Sequence, residues 1–173
     1  MRTWLRRLLA AAGVATMLAG LLVSPVAAQK QQGDLAAVRK ATAQFHDLGK
    51  ATKAGYAPLL ACFDLPGVGG MGQHLVKGGL VNGTVIATQP QALVYEVDEE
   101  GEMTLVAVEY IIPYTLHPAT AEAPRLFGQA FLHNNTLSLW ALHAWIFRSN
   151  PLGTFASYNP NVSMCPKHSE SGD

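Results

Sequence analysis

Charge is scarce in this chain. Lys, Arg, Asp and Glu make up 14% of its 173 residues, and they cancel to a formal net charge of zero. There is no basic stripe, so the electrostatic footprint of a nucleic-acid binder is missing and no nucleic-acid partner is expected. Cysteine is nearly absent, with two residues and no C-x-x-C, which leaves a thioredoxin-like redox role without support. No G-x-x-x-x-G-K-[ST] occurs, so the many glycines do not form a phosphate loop. No internal repeat is visible, which argues against a solenoid. Beyond the first two dozen residues there is no long apolar run, so no stable membrane insertion is expected of the mature chain.

What is present begins with a leader. Arg2, Arg6 and Arg7 give a basic start, Leu8 to Val23 is apolar, and Val26-Ala27-Ala28 supplies small residues ahead of Gln29. This pattern predicts a signal peptide over 1–28, cleaved before Gln29. The apolar run ends at Ser24-Pro25, too short for a comfortable membrane span. The Arg6-Arg7 pair leaves both the general and the twin-arginine export routes open. The leader has a bacterial look, so the expected address is periplasmic or extracellular. Residues 29–173 then form one globular domain with a frayed tail from about 167. Three of the 12 basic residues and none of the 12 acidic ones lie in the leader, which leaves the mature chain at a net charge of −3. In an exported chain the pair Cys62 and Cys165 is most simply a disulfide, with a thiolate metal site as the alternative. The bond would close a loop of about 100 residues, for which chain entropy gives roughly 4–5 kcal/mol.

Apolar spacing at Leu35, Val38, Ala41, Phe45, Leu48, Thr52 and Tyr56 predicts one amphipathic helix over about 35–54. Asp34 serves as its N-cap, and Gly55 and Pro58 end it. Ala61 to Gly83 is dense in glycine, which implies backbone shapes closed to other residues or close approach of another segment. Within it, His74-Leu75-Val76 reads as a short strand. Ala92–Val97 and Met103–Pro113 form a hairpin around an acidic, solvated turn at 98–102. Met103–Pro113 is apolar on both sides, with Thr104, Val106, Val108, Tyr110 and Ile112 on one and Leu105, Ala107, Glu109 and Ile111 on the other. It therefore reads as a central strand covered on both faces. Leu126 to Phe131 reads as a short strand or a loop, and Leu137–Phe147 as another strong strand. The expected fold is α+β: the N-terminal helix packed on an antiparallel sheet, with long Gly- and Pro-rich loops.

Glu109 is an anomaly, a carboxylate between Ala107 and Ile111 in a core strand. His143 repeats it, between Ala141 and Trp145. If the two meet, three readings follow. They form a structural hydrogen-bonded pair. Alternatively they are metal ligands, with His74 as the third, a set suited to zinc, copper, iron or manganese. In the last reading they are the acid and base of a hydrolase or lyase. Met71 could add a soft ligand favouring copper, or be ordinary core. His117 and His133 fall in loops, and His168 in the tail.

Gly70-Met71-Gly72-Gln73-His74, Ala92 to Pro113 with its Val108-Glu109-Tyr110, Leu126-Phe127-Gly128-Gln129, and Leu142-His143-Ala144-Trp145 followed by Asn150-Pro151-Leu152-Gly153 together resemble an uncharacterised family of small exported bacterial proteins. The resemblance runs from about Ala54 to Cys165. It implies that a histidine after the glycines, an acid in the Val-Glu-Tyr strand and a histidine before the aromatic strand end belong together, here His74, Glu109 and His143. Related chains carry a further histidine and a tyrosine where this one has Leu139-Trp140, and His133 is a candidate substitute. The expectation is an exported small binding protein, its ligand a small molecule or a transition metal held by His74, Glu109 and His143. The enzyme and the structural module remain the alternatives.

Overall fold

The computed structural model describes residues 24–59 and 61–166. Most of the expected leader and the expected tail, with His168, lie outside the described residues. The described chain is α+β, one helical stretch followed by an antiparallel sheet of several strands. Among the described residues no helix is long and apolar enough to cross a membrane.

The helical stretch differs from the single predicted helix at both ends. It comprises α1 (Pro25–Thr42), a 3-10 turn (Ala43–His46) and α2 (Leu48–Lys53). The start moves back because the Ser24 hydroxyl accepts the Ala27 N–H at 3.3 Å and caps the helix there. Asp34 is then no cap. It sits in mid-helix and takes the Lys30 ammonium at 3.2 Å. The break falls at Asp47, whose backbone is extended (φ −83°, ψ 104°) and whose carboxylate accepts the Lys50 N–H at 3.2 Å. That side chain favours capping a new helix over continuing the old one. Gly55, at φ 93°, ends α2 as expected. Val38 and Thr42 are the buried residues of α1. Leu35 and Phe45 pack partly against the same sheet cluster. Arg39 Nε donates to the Ile146 carbonyl at 2.7 Å and Gln31 to that of Phe127 at 2.6 Å.

The strands are β1 (Ala57–Pro58), β2 (Phe63–Leu65), β3 (Gly69–Val76), β4 (Ala92–Val97), β5 (Met103–Pro113), β6 (Arg125–Leu126), β7 (Gln129–Ala130), β8 (Leu132–Asn134) and β9 (Leu139–Ala144). The main sheet runs β1-β3-β4-β5-β9-β8, with β2 also on β3, and every pairing is antiparallel. The β4–β5 hairpin lies where the sequence puts it. Leu126 to Phe131 resolves into the small β6–β7 hairpin, turned by Phe127 and Gly128 at positive φ.

Two features depart from simple strand alternation. The register slips between Val94 and Tyr95, which face Ala107 and Leu105, so Val106 is an extra residue. Leu105 therefore joins Val108, Tyr110 and Ile112 in the main core beneath the helices, while Val106 and Ala107 pack with Val94, Trp145 and Val162. The glycine-rich stretch from Ala61 to Gly83, where only His74-Leu75-Val76 reads as strand from the sequence, holds β2, the eight-residue strand β3 and a 3-10 turn at Gly78–Leu80. Its glycines admit close neighbours: a Cβ on Gly70 would lie 2.3 Å from the Ser163 carbonyl oxygen. A Cβ on Gly72, which has φ 95°, would lie 2.4 Å from that of Tyr95.

The segment that touches Gly70 comes from the far end of the chain. Asn159 N–H donates to the Gly70 carbonyl at 2.9 Å, and Gly70 N–H to that of Val162 at 3.2 Å. Cys62 and Cys165 form the expected disulfide. The Cys165 N–H reaches the Asp64 carboxylate at 2.8 Å. Glu96 binds the Arg148 guanidinium and takes both the N–H and the hydroxyl of Ser163 at 2.8 Å. The C-terminal segment is thereby strapped across β2, β3 and the end of β4.

Candidate metal centre

The register of the sheet brings three distant residues together. Glu109 on β5 pairs directly with His143 on β9. His74 on β3 pairs with Val94 on the intervening strand β4. Strands once removed lie about 9.5 Å apart, a gap that an imidazole and a glutamate leaning toward each other can close. Ala92, paired with both Val76 and Glu109, keeps the face low between them.

The side chains converge. His74 Nε2 lies 3.3 Å from His143 Nε2. The Glu109 carboxylate sets one oxygen 3.4 Å from His74 Nε2 and the other 3.5 Å from His143 Nε2. All three residues are buried, at 7%, 8% and 5% exposure for His74, Glu109 and His143. The Phe63 ring stands 6.0 Å from that of His74, and the Trp145 ring stacks on His143 at 5.9 Å.

Burial dominates the electrostatics. It pushes the Glu109 carboxyl up to about 8 and the His74 imidazole down to about 4. His143 goes down to about 3, through burial and then through its neighbour His74. Burial thus favours the uncharged form of all three groups, two neutral imidazoles and a protonated carboxyl. Their hydrogen bonding is awkward. His74 Nδ1 is buried without a hydrogen-bond partner, although the Gly72 backbone stands close enough to raise the imidazole's basicity slightly. Without a cation, the two Nε2 atoms also present lone pairs to each other unless one of them carries a proton.

No family model matches the chain, and no curated protein or solved structure is significantly similar to it. The chemistry of the centre therefore has to be read from its own geometry. Three ligand atoms, one from each residue, lie within 4.8 Å of one another. Two imidazoles and a carboxylate are a recognised donor set for divalent transition metals.

The cluster forms the floor of a cleft of about 390 Å³. Leu59, Phe63, Val76, Ile111, Leu132 and Leu139 give it apolar sides, and Asn134, Asn135, Thr136, Ser157 and Tyr158 supply polar edges. Met71 lines the same cleft. Of the other described histidines, His133 also lines the cleft, but none joins this cluster. The His133 ring stacks on Trp140 at 3.9 Å, and its Nδ1 is 3.0 Å from the Tyr114 hydroxyl. His133 pairs with Trp140, which strand alternation sets on the opposite face of β9 from His143, so it is no substitute at this cluster. His117 bonds the Glu122 carbonyl at 2.8 Å, and His46 packs on Phe147. Sequence reasoning missed Leu59, Leu132, Leu137 and Tyr158, which come from loops or very short strands and carry no periodic signal.

Proposed function

We propose that this is an exported protein that binds a divalent transition metal through His74, Glu109 and His143, with a coordination position left toward the cleft. The spacing of the donor atoms carries the reading. Ligands bound tetrahedrally at 2.0–2.1 Å stand about 3.3–3.4 Å apart. His74 Nε2 and His143 Nε2 have that spacing, at 3.3 Å, and the carboxylate turns a different oxygen to each, at 3.4 and 3.5 Å, so that one donor atom from each residue lies within 4.8 Å of the others. A cation also answers the awkward hydrogen bonding: it takes both Nε2 lone pairs and leaves Nδ1–H of His74 to face the Gly72 backbone. Zinc is the first choice for such a set, with copper, iron and manganese as competitors. Export is supported by the leader and by the disulfide.

The test is elemental analysis of the purified protein before and after zinc reconstitution, beside Glu109→Gln and His143→Ala. About one metal per chain in the native protein and its loss in both variants is the expected result. Full occupancy in both variants would end the metal reading and leave a structural carboxyl–imidazole cluster.

A further inference from the structure

The cleft above the centre limits what a further ligand could be. Glu109 is its one lining residue among Lys, Arg, Asp and Glu. Away from the floor no Lys, Arg, Asp or Glu side chain stands there to match the charges of a phosphate chain or a zwitterion. The sides are aliphatic, and three leucines at its mouth stay well exposed: Leu59 at 49%, Leu132 at 52% and Leu137 at 41%. Its volume of about 390 Å³ lies at the lower end of small-molecule sites, about 300–1,000 Å³. A divalent ion on two neutral imidazoles and one carboxylate leaves one positive charge at the floor.

On the basis of the metal centre proposed above, we infer that the cleft takes a medium-chain aliphatic monocarboxylate. Its head completes the metal's coordination and its chain lies along the leucine-lined side. One negative charge meets one positive charge at the floor. The alkyl chain covers apolar surface that is otherwise left to water.

Calorimetry tests this in two steps. Zinc is titrated into metal-free protein first, with no carboxylate present. Sodium butanoate, hexanoate and octanoate are then titrated into the zinc-loaded and the metal-free protein. One-to-one octanoate binding to the zinc form is expected, with affinity rising about fourfold per added methylene that reaches the apolar side. Leu132→Asp, compared at equal zinc content, should weaken octanoate at least about tenfold. Equal affinity for butanoate and octanoate would overturn the chain-binding part. Equal octanoate affinity with and without zinc would overturn the head-on-metal part. Silence of octanoate on fully zinc-loaded protein would overturn both, with the metal centre intact. Failure of zinc itself to bind shows in the first titration, and then the metal centre falls and this inference with it.

Discussion

Glu109 sets the proton balance of the centre. Its folded-state value of about 8 lies above the ordinary 4.5, so between those values the folded chain holds a proton that the unfolded chain releases. Stability from this group is full below 4.5 and falls as pH rises toward 8. The imidazoles act the other way. With folded values of about 4 and 3 against an ordinary 6.5, they make stability rise with pH up to 6.5. The metal-free protein is therefore expected to be most stable near pH 6.5 and to lose about 1 kcal/mol by pH 8, the fall from Glu109 being partly offset by the imidazoles. Urea unfolding across that range checks it. In Glu109→Gln the decline above pH 6.5 should vanish, since an amide has no proton to lose. The same reasoning separates a neutral carboxyl from a buried ion pair. Breaking a charged pair costs about 3–5 kcal/mol, whereas metal-free Glu109→Gln, an amide in place of a protonated carboxyl, should raise stability at pH 6.5 by about 2–3 kcal/mol, the part that the carboxyl has already lost above 4.5. Glu109 and His143 were legible in the sequence because an ionisable group in an apolar strand needs a reason. That His74 would meet them was not derivable from spacing alone, because it depends on which strand lies between β3 and β5.

Strand β3 shows why some elements are legible and others are not. The β4–β5 hairpin announces itself by two apolar runs around an acidic turn, and both strands appear with the expected bounds. β3 has no such signature in its first half, because its glycines are there for the neighbours they admit: the Tyr95 carbonyl beside Gly72 and the C-terminal strap beside Gly70. The bulge at Val106 is equally silent, and it reverses the face assigned to Leu105. Gly70→Ala tests the strap. It should loosen the Gly70–Asn159 and Gly70–Val162 hydrogen bonds and speed hydrogen exchange at their two donating amides, those of residues 70 and 159, while the β4–β5 amides stay protected. Uniform exchange in both regions would deny the strap any separate identity. Because Ser157 and Tyr158 belong both to this segment and to the cleft edge, a loosened strap should also weaken whatever the cleft holds.

Across the whole molecule, two restraints act on the fold by different routes. The disulfide joins residues 103 apart in sequence and works chiefly by restricting the unfolded chain, for roughly 4–5 kcal/mol. A metal on His74, Glu109 and His143 joins β3, β5 and β9 and works by mass action on the folded chain. The two should be separable by thermal unfolding. Zinc at a hundredfold excess over its dissociation constant adds about 2.7 kcal/mol, which raises Tm by roughly 10 °C for a chain of this size. That shift should grow with zinc concentration and be absent in Glu109→Gln. The Cys62→Ser, Cys165→Ser double variant should lower Tm by an amount independent of zinc. It should still show the zinc shift, because the three ligands stand on sheet strands that the disulfide does not align. Loss of the zinc shift in the double variant would mean that the strap, and not the sheet register, holds His74 in place. The centre would then belong to the C-terminal half of the structure as much as to the β3-β4-β5-β9 ladder.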